Sequence, residues 1–227
     1  DADREIMLAG ISHDLRTPLA RMRLEIEMSS VSDEARQAID EDLAQIDHSI
    51  GQLMEYARPA GVLPEQGIDI SRVLRDIFER ERSHTESLGG TLTASIDPGL
   101  YAKIAELDLK RVVGNLIENA RRYGRSPSDN RVYIQISARE EGASLAIEVA
   151  DKGTGIAESD VQRLLRPFSR GESARTGVSG AGLGLAIVER LLGQVGGKLK
   201  LITRGSEGLV ARIEIPKARI RNYQLDS

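Results

Sequence analysis

At 227 residues the chain is long enough for two compact domains, and 40% hydrophobic with 29% charged residues is ordinary globular composition. With no cysteine there is no disulfide framework, thiolate metal site or cysteine nucleophile, and three histidines are too few for a multi-histidine metal site. A net charge of -4 gives no electrostatic case for nucleic acid, and neither a signal peptide nor a run of about 18 apolar residues is present.

The chain opens at Asp1, already inside what reads as a helix and without a start methionine, so a fragment is expected, with any membrane portion upstream. Leu8, Ile11, Leu15, Met22 and Ile26 recur at spacings of three, four or seven and predict a helix packed through one seam. At about 100° per residue His13 lies roughly 200° from both Ile11 and Leu15, which turns it outward. Thr17 shares that face and Asp14 sits one step round. An outward histidine beside a carboxylate is a candidate nucleophile, although direction alone does not separate it from plain surface. Pro18 costs a helix interior about 3 kcal/mol. The seam resumes at Met22 and Ile26, which predicts one bent helix rather than two short ones.

A second seam follows the polar stretch 29–33: Ile39, Leu43, Ile46, Ile50, Leu53 and Ala57 step by four and three. Two such helices form an antiparallel hairpin, and a second copy is the natural cover for its apolar stripes, giving a dimeric four-helix bundle. Pro59, Gly61, Pro64 and Gly67 then mark a linker. Beyond it the pattern predicts a helix over 69–84, a strand over 91–96, a strong helix over 107–123, and strands over 131–138 and 144–150. A helix near 183–192 and strands over 198–203 and 209–215 close the sequence. The expected class is α+β multidomain, a helical hairpin followed by a sandwich with helices on one sheet face. The divisions are 1–58 for the hairpin, 59–67 for the linker, 68–216 for the second domain and 217–227 for a polar tail.

The strong helix carries Asn115 and Asn119 four apart, with Arg122 and Tyr123 one turn later, against an apolar face of Val112, Val113, Leu116, Ile117 and Ala120. Asparagine oxygens can ligate Mg²⁺ beside phosphate oxygens, Arg122 can bind phosphate charge and Tyr123 can flank a base. Asp151 ends an alternating strand and leads into Gly153 and Gly155, where a carboxylate can accept from an exocyclic amine while glycine lets the backbone approach a flat ring. Ser179, Gly180, Gly182, Leu183 and Gly184 open the helix near 183–192, where free N–H groups suit phosphates. The spacing is not that of a dinucleotide loop, and no Walker A loop occurs. Between Pro167 and Ser179, Phe168, Arg170 and Arg175 sit in a stretch short of apolar residues, which reads as a lid over a triphosphate or as an ordinary surface loop.

Taken together these segments resemble a two-component sensor histidine kinase, over nearly the whole chain and in the family's order. Residues 12–19 resemble its H box, 115–123 its N box, 151–155 its first glycine box, Phe168 its F box and 180–184 its second glycine box. The phrases around His13, Tyr123, Arg170 and Leu183 are most similar to the EnvZ-type osmosensor kinases. The resemblance implies a homodimeric phosphotransfer hairpin joined to a Bergerat-type ATP-binding domain, the cytoplasmic portion of a bacterial inner-membrane protein. It implies His13 as phosphoacceptor with Asp14 orienting or deprotonating it, Arg16 in the same turn, and Thr17 assisting removal of phosphate from a partner. It further implies Asn119 as Mg²⁺ ligand, Asn115 and Arg122 at the phosphates, Tyr123 and Ile156 beside the nucleotide, and Asp151 reading adenine. Phe168, Arg170, Ser179, Gly180, Gly182, Leu183 and Gly184 would cover and hold the phosphates. The implied partner is a response regulator receiver domain of the OmpR-like kind. Lys152 departs from the family, where Asn or Asp is common, which puts the local hydrogen bonding in doubt but not the Asp151 role.

Two other readings share these motifs. Hydrolytic ATPases of the same fold carry a glutamate base where Asn115 stands here, and a missing carboxylate disfavours activation of water. A degenerate ATP-binding scaffold is set against a motif set in which every position expected to be polar remains polar.

Overall fold

The computed structural model describes residues 2–29, 32–167, 169 and 182–218, with side chains from Leu15 onward except Ser206. Helix α1 (Ala2–Glu27) runs unbroken through Pro18. Helix α2 (Asp33–Ala57) starts at Ser32, whose hydroxyl accepts from the Ala35 N–H at 3.2 Å, with Asp33 and Glu34 in the first turn to complement the helix dipole. The two lie side by side, tied by an Arg16 Nε to Asp47 Oδ1 bond of 2.8 Å. Within α2 only Leu43 and Ile50 are buried, while Leu15, Met22, Leu24, Met28 and Ile46 stay between 44% and 80% exposed. Of the predicted seam, Leu15, Met22 and Ile46 are thus left exposed in a single chain.

Past the linker come β1 (Ile68–Asp69), α3 (Ile70–Ser87), β2 (Thr91–Ile96), β3 (Tyr101–Ala102), α4 (Glu106–Tyr123), β4 (Tyr133–Glu141), β5 (Ser144–Asp151), α5 (Glu158–Leu164), α6 (Gly184–Gln194), β6 (Lys198–Thr203) and β7 (Leu209–Pro216). Asp69, expected inside the third helix, caps it by accepting from the Arg72 N–H at 2.9 Å. The helix then buries Ile70, Val73, Leu74 and Ile77, spaced for one face. β1 and β3 form a small antiparallel pair, and the main sheet runs β2-β4-β5-β7-β6, with β2 parallel to β4 and every other pair antiparallel.

Register sorts the two faces of the sheet. Leu145 pairs with Ile215, Ile147 with Ile213 and Val149 with Ala211, and all six are buried in one core with residues of α3, α4 and α6. On the other face Glu148 accepts from Arg139 at 3.2 Å and Arg212 at 2.8 Å, and Glu214 accepts from Lys200 at 2.7 Å. Charged cross-strand pairs thus complete the alternation that a one-sided sheet requires. Residues 217 and 218, expected to open a loose tail, are instead pinned: Lys217 N–H donates to Ala143 at 3.1 Å and Ala218 N–H to Tyr101 at 2.7 Å. The rest of the expected tail lies outside the described residues.

The linker is held onto α4 by two buried side chains. Arg111 donates to the carbonyls of Glu55 and, at 3.2 Å, of Pro59, and it pairs with Asp108 at 3.1 Å. Asp108 accepts from the Gly61 N–H at 2.7 Å. From α6, Arg190 donates to the Arg58 carbonyl at 2.8 Å and lies over the Tyr56 ring. No described helix is long and apolar enough to cross a membrane.

Candidate nucleotide site

Between α4 and the sheet lies a cavity of about 350 Å³. Its floor is apolar: Val149, Leu201, Leu209 and Ala211 come from three adjacent strands, with Leu201 and Val149 both registered opposite Ala211. A flat apolar ring fits such a floor.

Asp151 stands at one end, and glycines let the chain close around it. A Cβ on Gly124 would come within 2.5 Å of the Asp151 Cβ, and one on Gly208, at φ 102°, within 2.0 Å of its carbonyl oxygen. Asp151 Oδ1 accepts from the N–H groups of Gly153 at 2.8 Å and Leu209 at 3.2 Å. Burial pushes this carboxyl above the usual range, and the two backbone bonds only partly offset it. Both of these bonds use Oδ1, so Oδ2 can accept from a ligand amine. Gly155, at φ 72°, lets the next loop pass Thr203, whose hydroxyl donates to the Ile156 carbonyl at 2.6 Å while accepting its N–H at 3.0 Å. That double bond fixes Gly155 and Ile156 in the cavity wall.

Asn119, Arg122, Tyr123, Gly182 and Gly184 line the cavity as well. Leu183 is fully buried and anchors the start of α6. Gly184 allows that start to press on the amides of α4, since a Cβ there would lie 3.2 Å from Asn115 Oδ1 and 3.4 Å from Asn119 Oδ1. Arg122 donates to Glu118 at 2.7 Å. Burial alone would push the Glu118 carboxyl up, but its bond to Arg122 and the nearby charges of Arg122 and Arg121 bring it below the ordinary value.

The two asparagines, side by side at Gly184, differ in their partners. Asn115 donates to the Arg111 carbonyl at 2.7 Å and lines a second cleft, between α2 and α4, together with Arg16, Asp47, His48 and Glu118. His13 and Asp14 lie on α1, with side chains outside the described set. Arg16 and Thr17 are exposed, Arg16 on its bond to Asp47. Phe168, Arg170, Ser179 and Gly180 lie outside the described residues. Sequence reasoning missed Gln52, which α2 brings to the cavity wall, as well as the strand residues of its floor. Strand alternation carries a signal for the floor; nothing local marks Gln52.

A family model described as "Histidine kinase-, DNA gyrase B-, and HSP90-like ATPase" matches residues 104–219, more than half of the chain, and one described as "His Kinase A (phospho-acceptor) domain" matches residues 3–61. The chain belongs to the sensor histidine kinase family. The Sensor protein RstB of Escherichia coli is 32% identical over 211 residues, covering 89% of this chain and 46% of that protein. The Sensor-like histidine kinase SenX3 of Mycolicibacterium smegmatis is 28% identical over 228 residues, 96% of this chain and 58% of that protein. The chain thus spans about half the length of the curated relatives it matches. Full-length ShkA in complex with AMPPNP superposes with a TM-score of 0.70 at 24% identity, covering 96% of this chain and 47% of that one. The Acinetobacter baumannii histidine kinase AdeS does so at 0.59 and 20%, covering 90% and 97%. At those identities the superpositions establish the shared fold. Neither family model reaches residues 62–103, yet these supply α3 and β2 to the core over which the kinase-family cavity is built.

Proposed function

We propose that this chain is the catalytic core of a protein-histidine kinase that binds ATP in the cavity under α4, phosphorylates His13, and passes the group to an aspartate of a response regulator. The observation carrying this reading is the placement of Asp151 and Asn119 on one cavity with an apolar floor between sheet and helix. A neutral imidazole nitrogen of His13 attacks the γ-phosphorus, the bond to the β-phosphate oxygen breaks, and ADP leaves. The phosphoryl group then moves to a regulator carboxylate, which restores the imidazole. Asp151 is the sole carboxylate lining the cavity among the described residues, and in this reading it meets adenine, which leaves no described carboxylate of the cavity to activate water at the γ-phosphate. That favours transfer over hydrolysis.

Mg²⁺ fits as a companion of the phosphates. No described group of His, Asp or Glu could hold a metal ion by itself, and the amide oxygen of Asn119 offers one ligand beside phosphate and water oxygens. When bound, the ion would offset charge on the transferring phosphoryl group. The exposed apolar residues of the hairpin support a homodimer, and the exposed Arg16 and Thr17 support an approach by a receiver domain of the OmpR-like kind, with Thr17 aiding dephosphorylation. The division into hairpin (1–58), linker (59–67) and ATP-binding domain (68–216), carried on the cytoplasmic side of a membrane-anchored protein, belongs to the same proposal.

Labelling with γ-labelled ATP tests it: an acid-labile, base-stable label is expected on the wild type and none on His13→Ala, which still binds ATP. Thr17→Ala should keep the label and weaken phosphatase activity. A wild-type dimer that binds Mg-ATP and never labels would establish a scaffold instead.

A further inference from the structure

Two described cations line the nucleotide cavity, and they are held differently. Arg125, past the end of α4, donates to the Asn130 carbonyl at 2.9 Å. Arg122 donates through Nε to Glu118 Oε1 at 2.7 Å, one turn back along the same helix. A Glu–Arg pair four apart on an exposed helix face is common and worth little, because both side chains swing freely. This pair is not of that kind. Glu118 Oε2 accepts from Arg121 at 3.3 Å, and Arg121, its side chain 10% exposed, is itself bonded to Glu81 of α3 and, at 3.2 Å, to the Thr85 hydroxyl. The Glu118 carboxylate is thus fixed from behind by a chain of bonds that starts on another helix.

Where Glu118 holds the guanidinium decides what it can do. Long helical side chains lean toward the start of their helix, and a bond to the residue four positions earlier draws the Arg122 Nε back to the turn of Glu118 and Asn119. That turn presses on the start of α6, where a Cβ on Gly184 would lie 3.4 Å from Asn119 Oδ1. Gly124, which packs on Asp151, lies two residues beyond Arg122 in the opposite direction. The cation is therefore drawn away from the carboxylate at the adenine end, toward an amide and a helix start that suit phosphate. Because Glu118 takes Nε, the terminal nitrogens of the fork are left to other partners.

We propose that Glu118 is a positioning residue, which aims the Arg122 guanidinium at the phosphates of ATP. This rests on the reading of the cavity as an ATP site. An arginine free to swing loses rotamer freedom when a ligand fixes it, whereas one already held at Nε loses less, so the carboxylate prepares the cation before the nucleotide arrives. The carboxylate is suited to that task at neutral pH. Its bond to Arg122 and the charges of both arginines outweigh burial and keep it ionised.

Titration of the full chain with a non-hydrolysable ATP analogue and with adenosine tests this, in a cycle with Arg122. Arg122→Ala should weaken the analogue about ten- to hundredfold and Glu118→Ala about three- to tenfold, while adenosine, which has no phosphate, should bind to all of them alike. Glu118→Gln, which keeps an acceptor for Nε, should recover most of the loss. In the double variant, Glu118→Ala added to Arg122→Ala should cost nothing further, since the carboxylate acts through that guanidinium. Losses that add in the double variant overturn the proposal, as does Glu118→Ala binding the analogue as well as wild type. Equal losses for analogue and adenosine also overturn it, making Glu118 a packing residue. An Arg122→Ala chain that holds the analogue like wild type overturns it too and leaves the ATP reading intact. A wild-type chain that binds neither ligand overturns both.

Discussion

The two halves of α4 carry similar side chains and do different work. Toward its start, Asp108, Arg111 and Asn115 are all bonded within the chain, to the linker backbone, to each other or to a helix carbonyl. One turn past Asn115, Asn119 faces the cavity and makes no side-chain hydrogen bond among the described residues. Polar groups that a fold leaves unused next to an apolar floor are where a ligand completes the structure; polar groups saturated by backbone hold domains in place. One helix therefore joins the linker at one end and presents a site at the other.

The sharpest way to break this contrast is Arg111→Ala. Asp108, 5% exposed, would lose its cation, and the carbonyls of Glu55 in α2 and Pro59 in the linker would lose their donor, at a cost of about 3–5 kcal/mol. A lower melting temperature and new proteolysis within residues 58–67 are expected, with adenosine affinity little changed. Should adenosine affinity collapse as well, the two halves of α4 are not separable.

Asp151→Asn is the converse test, and its effect on the fold is smaller. Removing the charge proposed to receive the adenine amine should weaken nucleotide binding about ten- to hundredfold. The fold should not suffer. Because burial raises the folded carboxyl above its ordinary value, the folded chain keeps a proton that the unfolded chain has released, and stability falls as pH rises through that window. Above it the ionised group is a constant penalty, which asparagine removes. Thermal melts of the ligand-free variant at neutral pH should therefore match or exceed wild type, and a marked drop would mean that Asp151 is structural.

How much of this was readable beforehand follows from range. The apolar positions of α4 mark it from Leu107 on, and the helix starts one residue earlier, after an Ala105 that lends no side-chain cap. β2 and β6 coincide with their alternating segments. The seven residues of α5 bury nothing and so show no periodicity to find, and β1 and β3, two residues each, exist through pairing across 34 positions. The glycines at 153, 155, 182 and 184 stand out by composition, but Gly124 and Gly208 matter only because Asp151 arrives against them from elsewhere. The Arg111 bonds to carbonyls 52 and 56 residues away have no local trace, and neither has Gln52.

The finest test of the boundary between the two halves is a pH series, because His48 sits on α2 against it. Burial, and then the charge of Arg122, hold His48 below its ordinary value of 6.5, against the opposing pull of Glu118 and Asp47. Its Nε2 is buried without a partner, so the docked form is that of a neutral ring. On acidification the undocked or unfolded chain protonates first, and stability is lost as pH falls from near 6.5 through the depressed folded value. Glu118 stays ionised through this range, since Arg122 keeps it low, so the change belongs to the imidazole. His48→Gln should flatten the dependence of melting temperature between about pH 7.5 and about pH 5.5, the smallest of these effects because the ring is only partly buried. An unchanged slope in that variant would place the acid sensitivity away from the α2–α4 contact.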